Sequence, residues 1–379
     1  MKILFLGGGY TSHLMVIANA IKSIDNTIQL DFLSEKEAPA DFKYEFPFPM
    51  DNIILIDRKF PNFLYRIPKL RSILRSYDYR KKLSIFKIGT YDYAHFEYID
   101  PWNCKFVGSI KRICKATIAT PWGSDVYRPT DRVKKMLPSF FNQVDVITAM
   151  NSVMREALIN IYHVEKEKIV DLPVVGTTAL DNIINSNIDK DSAKKALGLL
   201  DRFTIVCGTN ASPAQRHDKI LEELNKVKNK LPEETTLMFL LGRDDRYDNL
   251  VIKRIKESGF DFKIFQRRIT DSEMLLWRKA ADMLIHAQVS DSASGAIVEA
   301  LLCGTTIVNA SWLKYPNLER WGVPYYLFNS FEELPSVVLD AFKNEKAVRP
   351  SENLIKYIKS LTMKEEVGRI VSFYKSYNR

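Results

Sequence analysis

FTIVCGTN, residues 203–210, is a short apolar run that stops at a glycine and passes into a helical pattern from about His217 to Lys230. Such a run, rich in β-branched residues and closed by glycine, reads as a buried strand. The same unit then repeats: strand TTLMFLLG (235–242), helix 249–258, strand FKIF (262–265), helix SEMLLWRKA (272–280), strand DMLIHA (282–287), helix GAIVEALLCG (295–304) and strand TTIVNA (305–310). Strict alternation of strand and helix predicts a parallel sheet covered by helices on both faces.

Upstream the pattern recurs. KILFLGGG (2–9), a helix through His13 to Ile21, and IQLDFLS (28–34) form a β-turn-α-β unit, with further strands expected at NIILI (52–56), TIAT (117–120) and VDVITA (144–149). DLPVVGTT (171–178) breaks the series. The expected organisation is therefore two doubly wound domains, residues 1–175 and 176–350, facing across a cleft with ligands at the strand carboxyl ends. A helical segment, 351–379, is expected to pack at their junction.

Composition agrees with a globule of this size. At 379 residues the chain exceeds what one core usually organises, and 46% hydrophobic with 27% charged residues leaves no sign of disorder. The glycines after Leu6 end the first apolar run too early for a signal peptide, and no run approaches the roughly 18 residues a membrane span needs. Cys104, Cys114, Cys207 and Cys303 lack CxxC spacing, so neither a zinc site nor a disulfide framework is implied and a reducing cytoplasm fits. A net charge of +9 favours anionic partners.

Gly7, Gly8 and Gly9 fall at a strand-to-helix turn, where backbone can approach a ligand. The turn reads as a tight turn, as an acceptor or phosphate contact, or as a nicotinamide site in which Glu35 would hold ribose; Ser12 stands where a dinucleotide fingerprint has its third glycine. Asp291 and Glu299 lie eight residues apart, one in a loop after a strand and the other on the next helix, where carboxylates can accept hydrogen bonds from sugar hydroxyls. Residues 58–87 hold Arg58, Lys59, Arg66, Lys69, Arg71, Arg75, Arg80, Lys81, Lys82 and Lys87 against Asp78, interleaved with apolar residues at near-helical spacing. That stretch suits an anionic membrane surface or a helix face packed on the domain; no nucleic-acid module is present.

These residues resemble the glycosyltransferase family 4 type of the GT-B fold. VSDSASGAIVEALLCGTTIV (289–308) is similar to its E-x7-E signature, with Asp291 in place of the first acid, Ser294-Gly295 as the small loop, and Glu299 as the second acid. The resemblance implies that Asp291 contacts the donor sugar and Glu299 the nucleotide ribose. Gly208-Thr209-Asn210 and Arg216 resemble its donor loop, with asparagine where an arginine is usual and Arg216 where the lysine is, so one cation faces the pyrophosphate. Gln266, Arg267 and Arg268 follow a strand where the family makes backbone contacts to the base. His95, in YDYAHFEY (91–98), resembles the family's strand-end histidine near the donor sugar, and Asp125 in TPWGSDVYR (120–128) its G-S-D turn. Trp122–Tyr127 and Gly208–His217 are also similar to the transferase adding 4-acetamido-4,6-dideoxygalactose to enterobacterial common antigen.

The expectation is a GT-B glycosyltransferase with His95, Asp291 and Arg216 as catalytic residues, Gly8, Gly9 and Asp125 on the acceptor or phosphate loop, and no cofactor or metal beyond the nucleoside diphosphate sugar co-substrate. Transfer to a glycan or polyprenyl-linked acceptor, with retention, in bacterial-type surface polysaccharide biosynthesis is expected. A cytoplasmic protein is expected, peripheral on the inner face of the cell membrane if residues 58–87 meet anionic lipid rather than pack on the domain. A nucleotide-sugar epimerase of the same fold and a catalytically silent binding protein are the alternatives.

Overall fold

Apolar runs at 2–6, 29–34 and 91–97 are buried on both faces, which is why they read as continuous hydrophobic strands rather than alternating ones. The computed structural model describes residues 1–7, 12–35, 49–172, 177–242, 244–267, 269–293, 295–344 and 350–377. Its chain divides into two units, Met1–Val174 with Met363–Arg379, and Val175–Thr362.

In the first unit β1 (Lys2–Leu6), β2 (Gln29–Ser34), β3 (Asn52–Leu55), β4 (Tyr91–Glu97), β5 (Cys114–Thr120), β6 (Val146–Ala149) and β7 (Ile169–Asp171) form a parallel sheet in the order β3-β2-β1-β4-β5-β6-β7. Phe5 pairs with His95 across β1 and β4. The helix Ser12–Ile24 and the helix Met363–Ser376 pack together over a core that includes Ile3, Phe5, Leu30, Val367 and Ile370.

The second unit repeats the plan. Strands β8 (Phe203–Cys207), β9 (Thr235–Leu240), β10 (Asp261–Phe265), β11 (Met283–His286), β12 (Thr306–Ala310) and β13 (Tyr325–Phe328) run parallel in the order β10-β9-β8-β11-β12-β13. Trp277, Phe239 and Phe328 are fully buried in its core. The second sheet thus has the doubly wound 3-2-1-4-5-6 order and the first has the same order extended by β7, with crossover direction reversing between β1 and β4 and between β8 and β11.

Strands β7 and β13 were not expected from sequence. Each is an edge strand of three or four residues, too short to carry a periodic signal. The last helices also divide differently from a single junction segment: Glu352–Lys359 belongs to the second unit and Met363–Ser376 to the first.

Candidate functional site

In the second unit, Gly208 is the first residue beyond β8, with φ +73°. A β-carbon there would lie 2.7 Å from His217 Nε2 and 3.1 Å from Gln215 Cβ, so the turn accepts only glycine. The Thr209 N–H donates to Gln215 Oε1 at 2.9 Å, and Gln215 Nε2 donates to Gln288 Oε1 at 2.7 Å. Gln215 and Gln288 are buried, and Trp312 Nε1 donates to the Gln288 carbonyl at 2.8 Å. This amide pair ties the turn after β8 to the turn after β11 at the point where the sheet reverses. Sequence reading did not single it out; a glutamine following an apolar strand gives no periodic signal.

Asn210 is exposed, and its Oδ1 accepts from the Ser212 N–H at 2.9 Å, shaping the loop. Arg216 caps the helix His217–Asn225 in the left-handed region at φ +59°, a conformation that costs an arginine roughly 1 kcal/mol or more. Its guanidinium lies 5.0 Å over the Phe331 ring, and among the described residues no acid pairs with it. Burial lowers the His217 pKa to about 4, so the imidazole beneath Gly208 is neutral.

Asp291 lies beyond β11, as expected. Its Oδ2 accepts from Tyr315 Oη at 2.9 Å and sits 4.0 Å from His286 Nε2; its Oδ1 accepts from the Ser292 N–H at 2.9 Å. The side chain is 23% exposed. His286 itself is fully buried, with Nδ1 3.1 Å from Asn309 Oδ1, and burial lowers its pKa. Gly295 opens the helix Gly295–Leu302, while Ser294 lies outside the described residues.

Glu299 is on that helix but faces inward. Its Oε2 accepts from Arg278 Nε at 2.7 Å and its Oε1 from the Thr177 hydroxyl at 2.6 Å. Thr177 in turn caps the helix Thr178–Asn185. Each carboxylate oxygen retains a second lone pair, so a ribose hydroxyl would share Glu299 with protein donors.

Gln266 is exposed after β10, and Gly242 backs directly onto it: a β-carbon at Gly242 would lie 2.5 Å from the Gln266 carbonyl. Arg267 donates to both Glu273 carboxylate oxygens at 2.9 and 2.5 Å, bracing the capping box of the helix Asp271–Ala280. Arg268 lies outside the described residues.

In the first unit Gly7 ends β1 at φ +139°, and a β-carbon there would fall 1.6 Å from the Glu97 carbonyl oxygen. Gly8 and Gly9 lie outside the described residues. His95 is not at the strand end: it lies within β4, buried, with Nε2 2.7 Å from Thr120 Oγ1 and Nδ1 bonded to the Tyr374 hydroxyl. Burial lowers its pKa to about 3, leaving it neutral. Glu97 occupies the strand end instead. It is buried, accepts from Trp122 Nε1 at 2.7 Å, and burial pushes its carboxyl up to about 7.

Asp125 is also turned inward. Its oxygens accept from the backbone N–H groups of Ile99, Trp122 and Gly123, each at 2.9 Å, so the carboxylate joins the loops after β4 and β5. Glu35, the ribose ligand of a nicotinamide reading, is instead paired with Arg75.

The basic segment forms the short helix Leu64–Arg66 and the helix Pro68–Ser84. Leu74, Tyr79 and Leu83 face the unit, whereas Phe63, Ile67, Ile73, Tyr77, Ile85 and Ile88 are exposed, from 47% to 82%. Among the described residues no three His, Cys, Asp or Glu side chains converge as a metal site, and no helix is long and apolar enough to cross a membrane.

Two doubly wound units in one chain, with glycine turns at both sheet reversals, have the GT-B fold of glycosyltransferases. Solved structures that the chain resembles include HepE from Anabaena in complex with UDP, with TM-score 0.71 and 15% identity over 100% of both chains. A glycosyltransferase from Rickettsia africae gives 0.70 and 15% over 99% of this chain and 97% of that one. Sucrose-phosphate synthase from Thermosynechococcus elongatus gives 0.73 and 12% over 99% and 98%. No family model matches the sequence, and no curated protein does. At such identities the likeness is one of fold.

Proposed function

We propose that the chain transfers a sugar from a nucleoside diphosphate sugar to a glycan or polyprenyl-linked acceptor, in bacterial-type surface polysaccharide assembly. The observation that carries this reading is the likeness of both units together, over the whole chain, to glycosyltransferases such as HepE, also solved in complex with UDP-glucose. Uridine donors are therefore the first to try.

In this reading the donor lies at the carboxyl ends of β8 and β11. The Gly208–Thr209 turn lets backbone approach the diphosphate, and Arg216 offers it a guanidinium that no acid among the described residues neutralises. Asp291, half-fixed by Tyr315, accepts from a hydroxyl of the transferring sugar, and Glu299, already accepting from Arg278 and Thr177, accepts from a ribose hydroxyl as well. As the anomeric C–O bond breaks, charge grows on the departing phosphate, where Arg216 stabilises it without a metal. Retention of configuration is the expected outcome. His95 and Asp125 act from within, holding the ends of β4 and β5 where the acceptor is received.

The exposed apolar residues of segment 58–87, with Ile88 after it, are flanked by cations and support docking on an anionic membrane from the cytoplasmic side. Nucleic acid has no place in this reading. The test is incubation of the purified chain with UDP-sugars and short glycan or prenyl-linked acceptors. Release of UDP with formation of a new glycoside supports the reading; an isomerised sugar without UDP release, or binding with no turnover, sinks it in favour of an epimerase or a silent binder.

A further inference from the structure

Residues beyond β2 and β3 and the helix Pro68–Ser84 wall a cavity of about 420 Å³ in the first unit. Its charged lining is Arg58, Arg66, Arg71 and Arg75 against Glu35 and Asp78. Among the described residues, four guanidinium groups less two carboxylates leave a net charge of +2. The acids are already committed. Glu35 is paired with Arg75, which also stacks 4.2 Å over the Trp102 ring. Asp78 is buried, bonded to the Tyr65 hydroxyl and accepting from the Lys59 N–H at 3.2 Å.

The remaining cations are differently placed. Arg58 donates to Asn62 Oδ1 at 3.0 Å and lies 5.0 Å over the Tyr65 ring, which fixes its direction. Arg66 and Arg71 are exposed, and the guanidinium of neither makes a hydrogen bond or ion pair among the described residues. Two unspent guanidinium forks beside two braced ones match the planar, multidentate geometry with which arginine holds phosphate. The cavity opens at the carboxyl ends of β2 and β3, the edge at which doubly wound sheets receive ligands, and its volume is that of a small-molecule site.

We propose that this cavity binds a phosphoryl group of the acceptor, as a phosphate monoester or a diphosphate. The inference rests on the glycosyltransferase reading, in which the first unit receives the acceptor, and it names the chemistry by which that acceptor is held. A lipid-linked diphosphate and a soluble sugar phosphate share that chemistry.

The experiment titrates inorganic pyrophosphate into the full chain by calorimetry, with UDP present to occupy the second unit, and repeats it with the Arg66→Gln/Arg71→Gln double variant. Pyrophosphate should bind the unaltered chain and bind the variant at least about tenfold more weakly, a loss of about 1.4 kcal/mol, since two charge-assisted hydrogen-bonding groups are removed. UDP affinity should be equal in both. Equal pyrophosphate binding by chain and variant, or none by the unaltered chain, overturns the proposal. A second arm sediments both proteins with vesicles containing anionic phospholipid but no diphosphate: if the double variant loses vesicle binding while the unaltered chain ignores soluble pyrophosphate, the arginines read a lipid surface and the cavity is not a phosphoryl site. Loss of UDP binding in every protein would instead strike the glycosyltransferase reading itself.

Discussion

Arg278 Nε donates to Glu299 Oε2 at 2.7 Å, with only 6% and 5% of the two side chains exposed. A buried pair of this kind adds little net stability against an apolar alternative, yet losing one partner strands the other. Glu299→Ala should therefore cost about 3–5 kcal/mol in chemical denaturation, so its effect on nucleotide affinity cannot be read in isolation. Glu299→Gln, which still offers an oxygen to Arg278 but no charge, should lose less stability than the alanine variant and bind UDP more weakly. An alanine variant as stable as the unaltered chain would refute the structural role.

Asp291 is bound by one hydroxyl and one adjacent amide, and is partly exposed, so it can be changed without stranding a buried charge. Asp291→Asn should lower turnover while leaving UDP affinity within about twofold, because a contact made to the transferring sugar acts on the transition state. Calorimetry with UDP beside a transfer assay makes the comparison; equal losses in both would remove Asp291 from the sugar.

Glu97 sets a pH dependence. Its carboxyl, held up to about 7 by burial, stays protonated in the folded chain after it has ionised in the unfolded one. The folded state therefore binds the extra proton between about pH 4.5 and 7, and stability from this group falls as pH rises across that window. His95, held neutral by a pKa of about 3, works in the opposite sense below pH 6.5, so the comparison must be made between variants. Glu97→Gln keeps an acceptor for Trp122 and should gain roughly 3 kcal/mol over the unaltered chain between pH 4.5 and pH 8. Parallel denaturation curves at both pH values would show the burial effect to be absent.

The outward face of the helix Pro68–Ser84 carries Ile73 and Tyr77 beside Arg80 and Lys81. The chain should sediment with vesicles containing anionic lipid, and about 0.5 M salt should release much of it, since screening then acts over a few Å. Ile73→Asp should weaken the binding without loss of fold. Equal, negligible sedimentation with neutral and anionic vesicles would return the face to a solvated helix surface.

Sugar transfer should persist in excess EDTA, because the reading assigns the leaving phosphate to Arg216 and backbone amides. Activity abolished by chelation and restored by magnesium or manganese would replace that assignment.

Strand-helix alternation made both sheets legible from sequence, because strands buried on two faces are apolar throughout and their glycine turns cannot be substituted. Gly208 and Asp291 could be located the same way. What periodicity could not convey was direction: Glu299, His95 and Asp125 were located on the right segments, but their partners, Arg278, Tyr374 and Ile99, come from elsewhere in the chain. Gln215, Gln288 and Glu97 were missed for the same reason. A polar residue at a strand end looks alike whether it meets a ligand or another loop.

The first unit is built from two separate stretches, and the helix Met363–Ser376 supplies Val367, Ile370 and Val371 to its core and the Tyr374 hydroxyl to His95. During synthesis, residues 1–174 emerge from the ribosome long before that helix exists. The unit made second, residues 175–362, has every segment of its own before that helix is made, and can close while the earlier one still waits with part of its apolar surface uncovered. The first unit can thus be completed last although its strands are made first, and its uncovered sheet face is the stage at which chaperone capture or aggregation would act.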